Sequence, residues 1–220
     1  FFDSWYVVQF DVDIWNTMGY HEITPSQSGG GGWTFGPLGP FTEGPTISEW
    51  IPSDTTNPLQ SHASIVVPSE TPGNPYPNNL PQGHLRVLVE ATETAPEVWR
   101  YNYAVQNYDF TRAVNQVRIP LSNGAQLLDT FFYSPEVDGV IGEDWQVTRE
   151  DGELVFTAAG GNTLRWFSLY NFEVVTDAVP TNGEVTLIPA QAGSPSDLTV
   201  RVLTPGESEG LFSDSFEIAL

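Results

Sequence analysis

The sequence contains no cysteine, no lysine and a single methionine. Without Cys, a disulfide scaffold, a zinc–thiolate site, an iron–sulfur cluster and a thiol nucleophile are all excluded. Positive charge is nearly missing as well: 7 Arg face 28 Asp and Glu, for a formal net charge of −21. Such a chain repels nucleic acid and anionic lipid, because both need basic side chains to neutralise phosphate. No apolar run approaches the roughly 18 residues that a membrane-spanning helix needs. Helical periodicity is also scarce, since Pro or Gly interrupts each window in which a 3.6-residue repeat could develop.

Aromatic residues are plentiful, with 7 Trp, 8 Tyr and 13 Phe, alongside 20 Gly and 18 Pro. Disordered chains lack aromatic and β-branched residues, so the charge does not imply disorder. At 220 residues the chain can bury about 70% of its unfolded surface and needs no covalent staples. An acidic surface without Lys stays hydrated and soluble in salty water. The chain opens on Phe1 rather than Met. The expectation is a removed secretory signal peptide and an extracellular location.

Period-2 alternation runs through the sequence. Phe2, Tyr6, Val8, Phe10, Val12 and Ile14 fall on one face of a strand, and Asp3, Gln9, Asp11 and Asp13 on the other. Residues 85–89 read as a strand, and Trp99, Tyr101, Tyr103 and Val105 alternate with Arg100, Asn102, Ala104 and Gln106. Further strands are expected at 114–121, 127–133, 145–149, 153–158, 164–175, 184–188, 198–203 and 212–219, with turns at Glu150-Asp151-Gly152 and Thr181-Asn182-Gly183. The expected fold is all-β: an antiparallel β-sandwich of Ig-like or jelly-roll type with long, ordered Pro/Gly-rich loops. All seven Arg lie beyond residue 84 and all three His at or before it, which divides the chain into an N-terminal strand and aromatic loop region (1–84) and a sandwich (85–220) that together could form one composite domain.

The stretch Trp99 to Asn107, followed by Val117-Arg118-Ile119-Pro120-Leu121, Asp144-Trp145-Gln146-Val147, Asn162 to Trp166 and Leu169-Tyr170-Asn171-Phe172, resembles a recurrent family of exported bacterial β-domains. The resemblance covers about residues 85–190. It departs from the family pattern at Phe167-Ser168, where the family carries a small Gly-Thr pair, and at Glu173 to Asp177, where it carries an acidic run. It implies an exported β-domain with no catalytic residues to transfer.

Catalytic signatures are absent: no Gly-x-Ser-x-Gly, HExxH, P-loop or GxGxxG occurs. His21, His62 and His84 are expected in loops outside the patterned sandwich. Glu150, Asp151 and Glu153 form a close carboxylate set of the kind glycosidases use, but a solvated turn does not raise a carboxyl pKa as a general acid requires. Asp138, Glu143 and Asp144, spaced by Gly, are the candidate Ca²⁺ ligands, since that ion takes several hard oxygens on flexible backbone. Trp99, Trp145 and Trp166 are expected in the core, leaving Trp33 and Trp50 for other roles.

Two features point to assembly. SGGGGWTFGPLGPFTEGP carries Trp33, Phe35, Leu38 and Phe41, too many apolar side chains for a plain linker. Both termini are strand-like and apolar. They pair either within their own sheet or in the sheet of another copy, as in donor-strand assemblies. The expected function is a secreted, non-enzymatic structural subunit that forms a homo-oligomer or homopolymer, an extracellular filament or surface layer. Phe1, Phe2, Trp5, Tyr6, Val8, Phe10, Val12 and Ile14 would supply the inter-subunit strand, with Trp33, Phe35 and Phe41 beside it. The alternative is a carbohydrate-binding module, its loop aromatics stacking on polysaccharide.

Overall fold

The computed structural model describes residues 1–6, 13–68, 81–134 and 145–206. Val8, Phe10 and Val12, the candidate Ca²⁺ ligands Asp138, Glu143 and Asp144, and the expected strand 212–219 lie outside the described residues.

Alternating strands with one apolar face bury it by stacking two sheets. One sheet has the order β4-β5-β6-β11-β8, from β4 (Gln60–Val67), β5 (Gly83–Ala95), β6 (Val98–Asn107), β11 (Leu169–Thr176) and β8 (Leu127–Tyr133). The other has the order β13-β12-β7-β10-β9, from β13 (Leu198–Gly206), β12 (Val179–Pro189), β7 (Val114–Pro120), β10 (Glu153–Thr157) and β9 (Gln146–Glu150). Every pairing is antiparallel. The all-β sandwich expected from the alternation is the architecture observed. Its first strand, β4, precedes residue 85, so the sandwich draws on both halves of the sequence.

The core holds the inward residues of both sheets, among them Val87, Tyr103, Val117, Phe156, Phe172 and Leu187. Two tyrosines tie the sheets together. Tyr101 Oη donates to the Ala178 carbonyl at 2.8 Å and Tyr103 Oη to the Leu203 carbonyl at 3.1 Å. A buried phenol needs such a partner; Tyr103 reaches β13 of the facing sheet, and Tyr101 the 177–178 link that leads into β12.

The turn at Asp151-Gly152 is a two-residue hairpin with both φ angles positive, 47° and 84°. Thr181-Asn182-Gly183 is not a turn. It lies inside β12, opposite Thr204, Leu203 and Val202 of β13. Glycine is needed there for space, because a Cβ on Gly183 would sit 2.3 Å from Thr204 Oγ1. Trp145 is buried as expected and donates through Nε1 to the Asn162 carbonyl at 2.6 Å. Trp166 is exposed, since it falls in the 165–168 turn before β11 rather than in a strand.

The N-terminal alternation does not run as one strand to Ile14. β1 (Phe2–Trp5) is short, and Ile14–Thr17 form a turn of 3₁₀ helix capped by Asp13, whose carboxylate accepts from the Trp15 amide at 3.1 Å. The expected aromatic loop is a β-hairpin. β2 (Met18–Gln27) pairs with β3 (Trp33–Glu43) around a Ser28–Gly32 tip, and β1 pairs with β2, giving a third sheet of order β1-β2-β3. The Gly29–Gly32 run forms the hairpin tip.

Candidate functional site

Every residue of β3 is exposed, and the outer part of β2 is exposed with it. Directly paired residues share a face, so the register groups Trp33 with Gln27, Phe35 with Pro25 and Pro37 with Ile23. The opposite face carries Thr34 against Ser26, whose hydroxyls lie 2.6 Å apart, then Gly36 against Thr24 and Leu38 against Glu22. The arm is therefore amphipathic. One face is polar apart from Leu38, and the other presents Trp33 and Phe35, 59% and 60% exposed, with Pro25 and Pro37 beside Phe35. Among the described residues β3 is also an edge strand, with no neighbour on its outer side.

The root of the arm is held firmly. Phe41 lies over Gly19, where a Cβ would sit 1.9 Å from the Phe41 ring, and meets His21 edge to face at 5.3 Å. Phe1 packs edge-on against Tyr20 at 5.8 Å, and Tyr20 Oη donates to Glu49. Ile14, Met18 and Tyr108 form a small buried cluster with Trp15 against it. Trp5 stacks on Phe167 at 4.5 Å and 12°. Phe167 holds a left-handed φ of 55°, where a non-glycine side chain is strained. This is the position at which the resembled family pattern carries Gly.

A buried polar cluster lies where this N-terminal region meets the sandwich. Arg86 points outward from β5 and is covered, with its guanidinium 4.2 Å over the Trp15 ring. Its Nη1 donates to Ser48 Oγ at 3.0 Å and to His62 Nε2 at 2.9 Å, while His62 Nδ1 donates to the Ile51 carbonyl at 2.7 Å. That pattern assigns His62 as neutral, and burial, the main cause, together with the Arg86 charge, holds its pKa below the ordinary value. Burial also lowers the Arg86 pKa and raises that of Tyr108. His84, in β5, is buried and its Nδ1 lies 3.1 Å from both Asp109 oxygens. His62 and His84 are thus sandwich-strand residues, not loop residues, and each has a structural partner.

The candidate interface set separates accordingly. Phe1, Phe2, Trp5, Tyr6, Trp33, Phe35 and Phe41 are all exposed to some degree on the β1-β2-β3 sheet, whereas Ile14 is fully buried and unable to meet a partner. β1 pairs with β2 of its own chain, Phe2 opposite His21 and Trp5 opposite Met18. Among the described residues, no three His, Asp or Glu side chains converge as metal ligands.

No family model matches the chain, and no curated protein does. A solved structure with partial likeness is the GH20 exo-β-N-acetylglucosaminidase of Vibrio harveyi, an inactive mutant. Its TM-score is 0.32 and its identity 12%, over 52% of this chain and 17% of that one. The class that the fold defines is an antiparallel β-sandwich carrying a three-stranded amphipathic arm.

Proposed function

We propose that the protein is a non-enzymatic structural subunit that assembles with copies of itself through the β2–β3 arm, in an extracellular filament or surface layer. The carrying observation is the arm's apolar face: Trp33 and Phe35, 59% and 60% exposed, share it with Pro25 and Pro37. A contiguous apolar patch of this kind on a soluble protein marks an interaction surface.

Magnitudes set the kind of contact. Covering those four side chains returns about 5 kcal/mol at ~25 cal/mol per Å². Association costs about 4–15 kcal/mol in lost freedom. One apolar face is therefore marginal by itself, and pairing along the free β3 edge supplies the remainder. A contact in which one copy's arm meets a different surface of the next does not close on itself and propagates as a filament. The like charge of −21 per copy opposes it, which keeps dilute protein dispersed. The resemblance to exported bacterial domains supports the extracellular setting.

Sedimentation velocity over rising concentration tests the proposal. The intact chain is expected to grow in mass and a Trp33→Ser, Phe35→Ser double variant to remain monomeric. Identical distributions for the two would refute it.

A further inference from the structure

A second surface lies on the outer face of the β4-β5-β6-β11-β8 sheet, apart from the arm. Its register sets out the side chains row by row. Tyr133 of β8 stands opposite Asn171 of β11, which stands opposite Ala104 of β6. In the next row Phe131 stands opposite Glu173, which stands opposite Asn102. The 46–51 turn covers this face on the β5 side, where Ile51 packs on Leu88 and Ala104 with Ile47 and Trp50 beside it. Towards β8 the face is exposed at Phe131 and Tyr133, and no other described element covers it.

Two things distinguish the open part. Phe131 and Tyr133 are 39% and 55% exposed, nearly parallel at 15°, with centroids 6.5 Å apart, the repeat of alternate residues along a strand. Beside them the polar groups are available. The amides of Asn102 and Asn171 form no side-chain hydrogen bond with another described residue. Glu173 Oε1 lies 3.3 Å from Arg100 Nε, which leaves both groups free to accept or donate further.

We infer that this face is a binding site for a neutral polysaccharide, whose pyranose rings pack on Phe131 and Tyr133 while its hydroxyls bond to Asn102, Asn171 and Glu173. The chemistry selects this occupant. A pyranose offers an apolar C–H face and a rim of hydroxyls that both donate and accept, so it covers the rings and satisfies the amides together. An apolar protein face would cover the rings but strand the amides and the Arg100–Glu173 pair without water. A polyanion is disfavoured by the net charge of −21, and the one Arg on this part of the face is already paired. From the rings to the covered β5 side is about two to three strand spacings, ~10–14 Å, room for one extended sugar chain.

Affinity electrophoresis of the full chain tests this, with hydroxyethylcellulose, galactomannan or xylan in the gel, alginate as the anionic comparison, and a polymer-free gel as reference. The intact protein is expected to be retarded by at least one neutral polymer and not by alginate. Phe131→Ala with Tyr133→Ala is expected to weaken the association at least tenfold. Asn171→Leu, which keeps both rings, is expected to weaken it severalfold. The arm variant Trp33→Ser, Phe35→Ser is expected to bind as the intact chain does, which separates this site from the proposed assembly surface. Absence of retardation by all three neutral polymers, retardation by alginate alone, or equal retardation of the intact chain and the ring variant would each overturn the inference. Thermal melts of the variants confirm folding. Should the ring variant not fold, undiminished binding by Asn171→Leu also overturns it.

Discussion

Phe167 is the residue whose backbone and side chain pull in opposite directions. Its positive φ favours glycine, yet its ring is the pad on which Trp5 stacks. At an ordinary strand position, Ala is more stable than Gly by about 0.5–1 kcal/mol. At position 167 the order should reverse. Phe167→Gly loses the stack but relieves the strain, and Phe167→Ala loses the stack and keeps it. Urea unfolding of the two variants should place Gly above Ala by about 1 kcal/mol, and the ordinary order would show that the strain is not there. His62 carries a second residue-scale expectation. Its pKa is lowered from 6.5 on folding, so the unfolded chain binds the proton more readily. Its contribution is therefore fully present above pH 6.5 and is lost as pH falls below it towards the folded value. Unfolding midpoints between pH 7.5 and 5.5 should fall for the intact chain and fall less for His62→Asn, which has no proton to take up.

Among elements, most strands of the sandwich were legible in the sequence because they carry one wet and one dry face; β5, buried on both faces from 83 to 89, is the exception. Tyr101, Tyr103 and Val105 reach the core by the alternation that identifies the strand. The inter-sheet ties from their hydroxyls were not legible, since they depend on which backbone the other sheet brings opposite. Tyr103→Phe should cost about 1–2 kcal/mol in urea unfolding, as the Leu203 carbonyl loses its donor in a dry site. A cost near zero would mean that the bond adds nothing net. The arm was misread for a physical reason. Its Gly and Pro residues signal loop and outweigh the short alternation of Trp33, Phe35 and Pro37 with Thr34 and Gly36. Thr181-Asn182-Gly183 misled in the opposite sense: its glycine answers to the Thr204 side chain across the sheet, which local sequence does not reveal. The Arg86–His62–Ser48 cluster was equally hidden, because its members are far apart in sequence: the β4–β5 pairing brings His62 beside Arg86, and the folding of 44–51 onto the sheet adds Ser48.

Over the whole molecule, charge and apolar surface compete. On the proposed assembly, twenty-eight acids against seven Arg hold copies apart while the arm draws them together. Screening weakens the first and leaves the second, since the Debye length falls from about 30 Å at 0.01 M salt to 3 Å at 1 M. Light scattering should therefore show self-association strengthening as NaCl rises from 0.01 to 1 M. Weakening with salt would mean that charge pairs, not the arm, hold copies together. The aromatic excess and terminal apolarity make an interaction surface an expectation of the sequence without placing it. In the structure the exposed Trp33 and Phe35 lie on an amphipathic hairpin, which carries the proposal, whereas Ile14 lies in a buried cluster. Hydrogen exchange at two protein concentrations, one dilute and one well into association, tests the assembly claim most directly. The account predicts that amides of residues 22–38 gain protection at the higher concentration while those of β6 stay unchanged; arm exchange that is equally fast at both would contradict it.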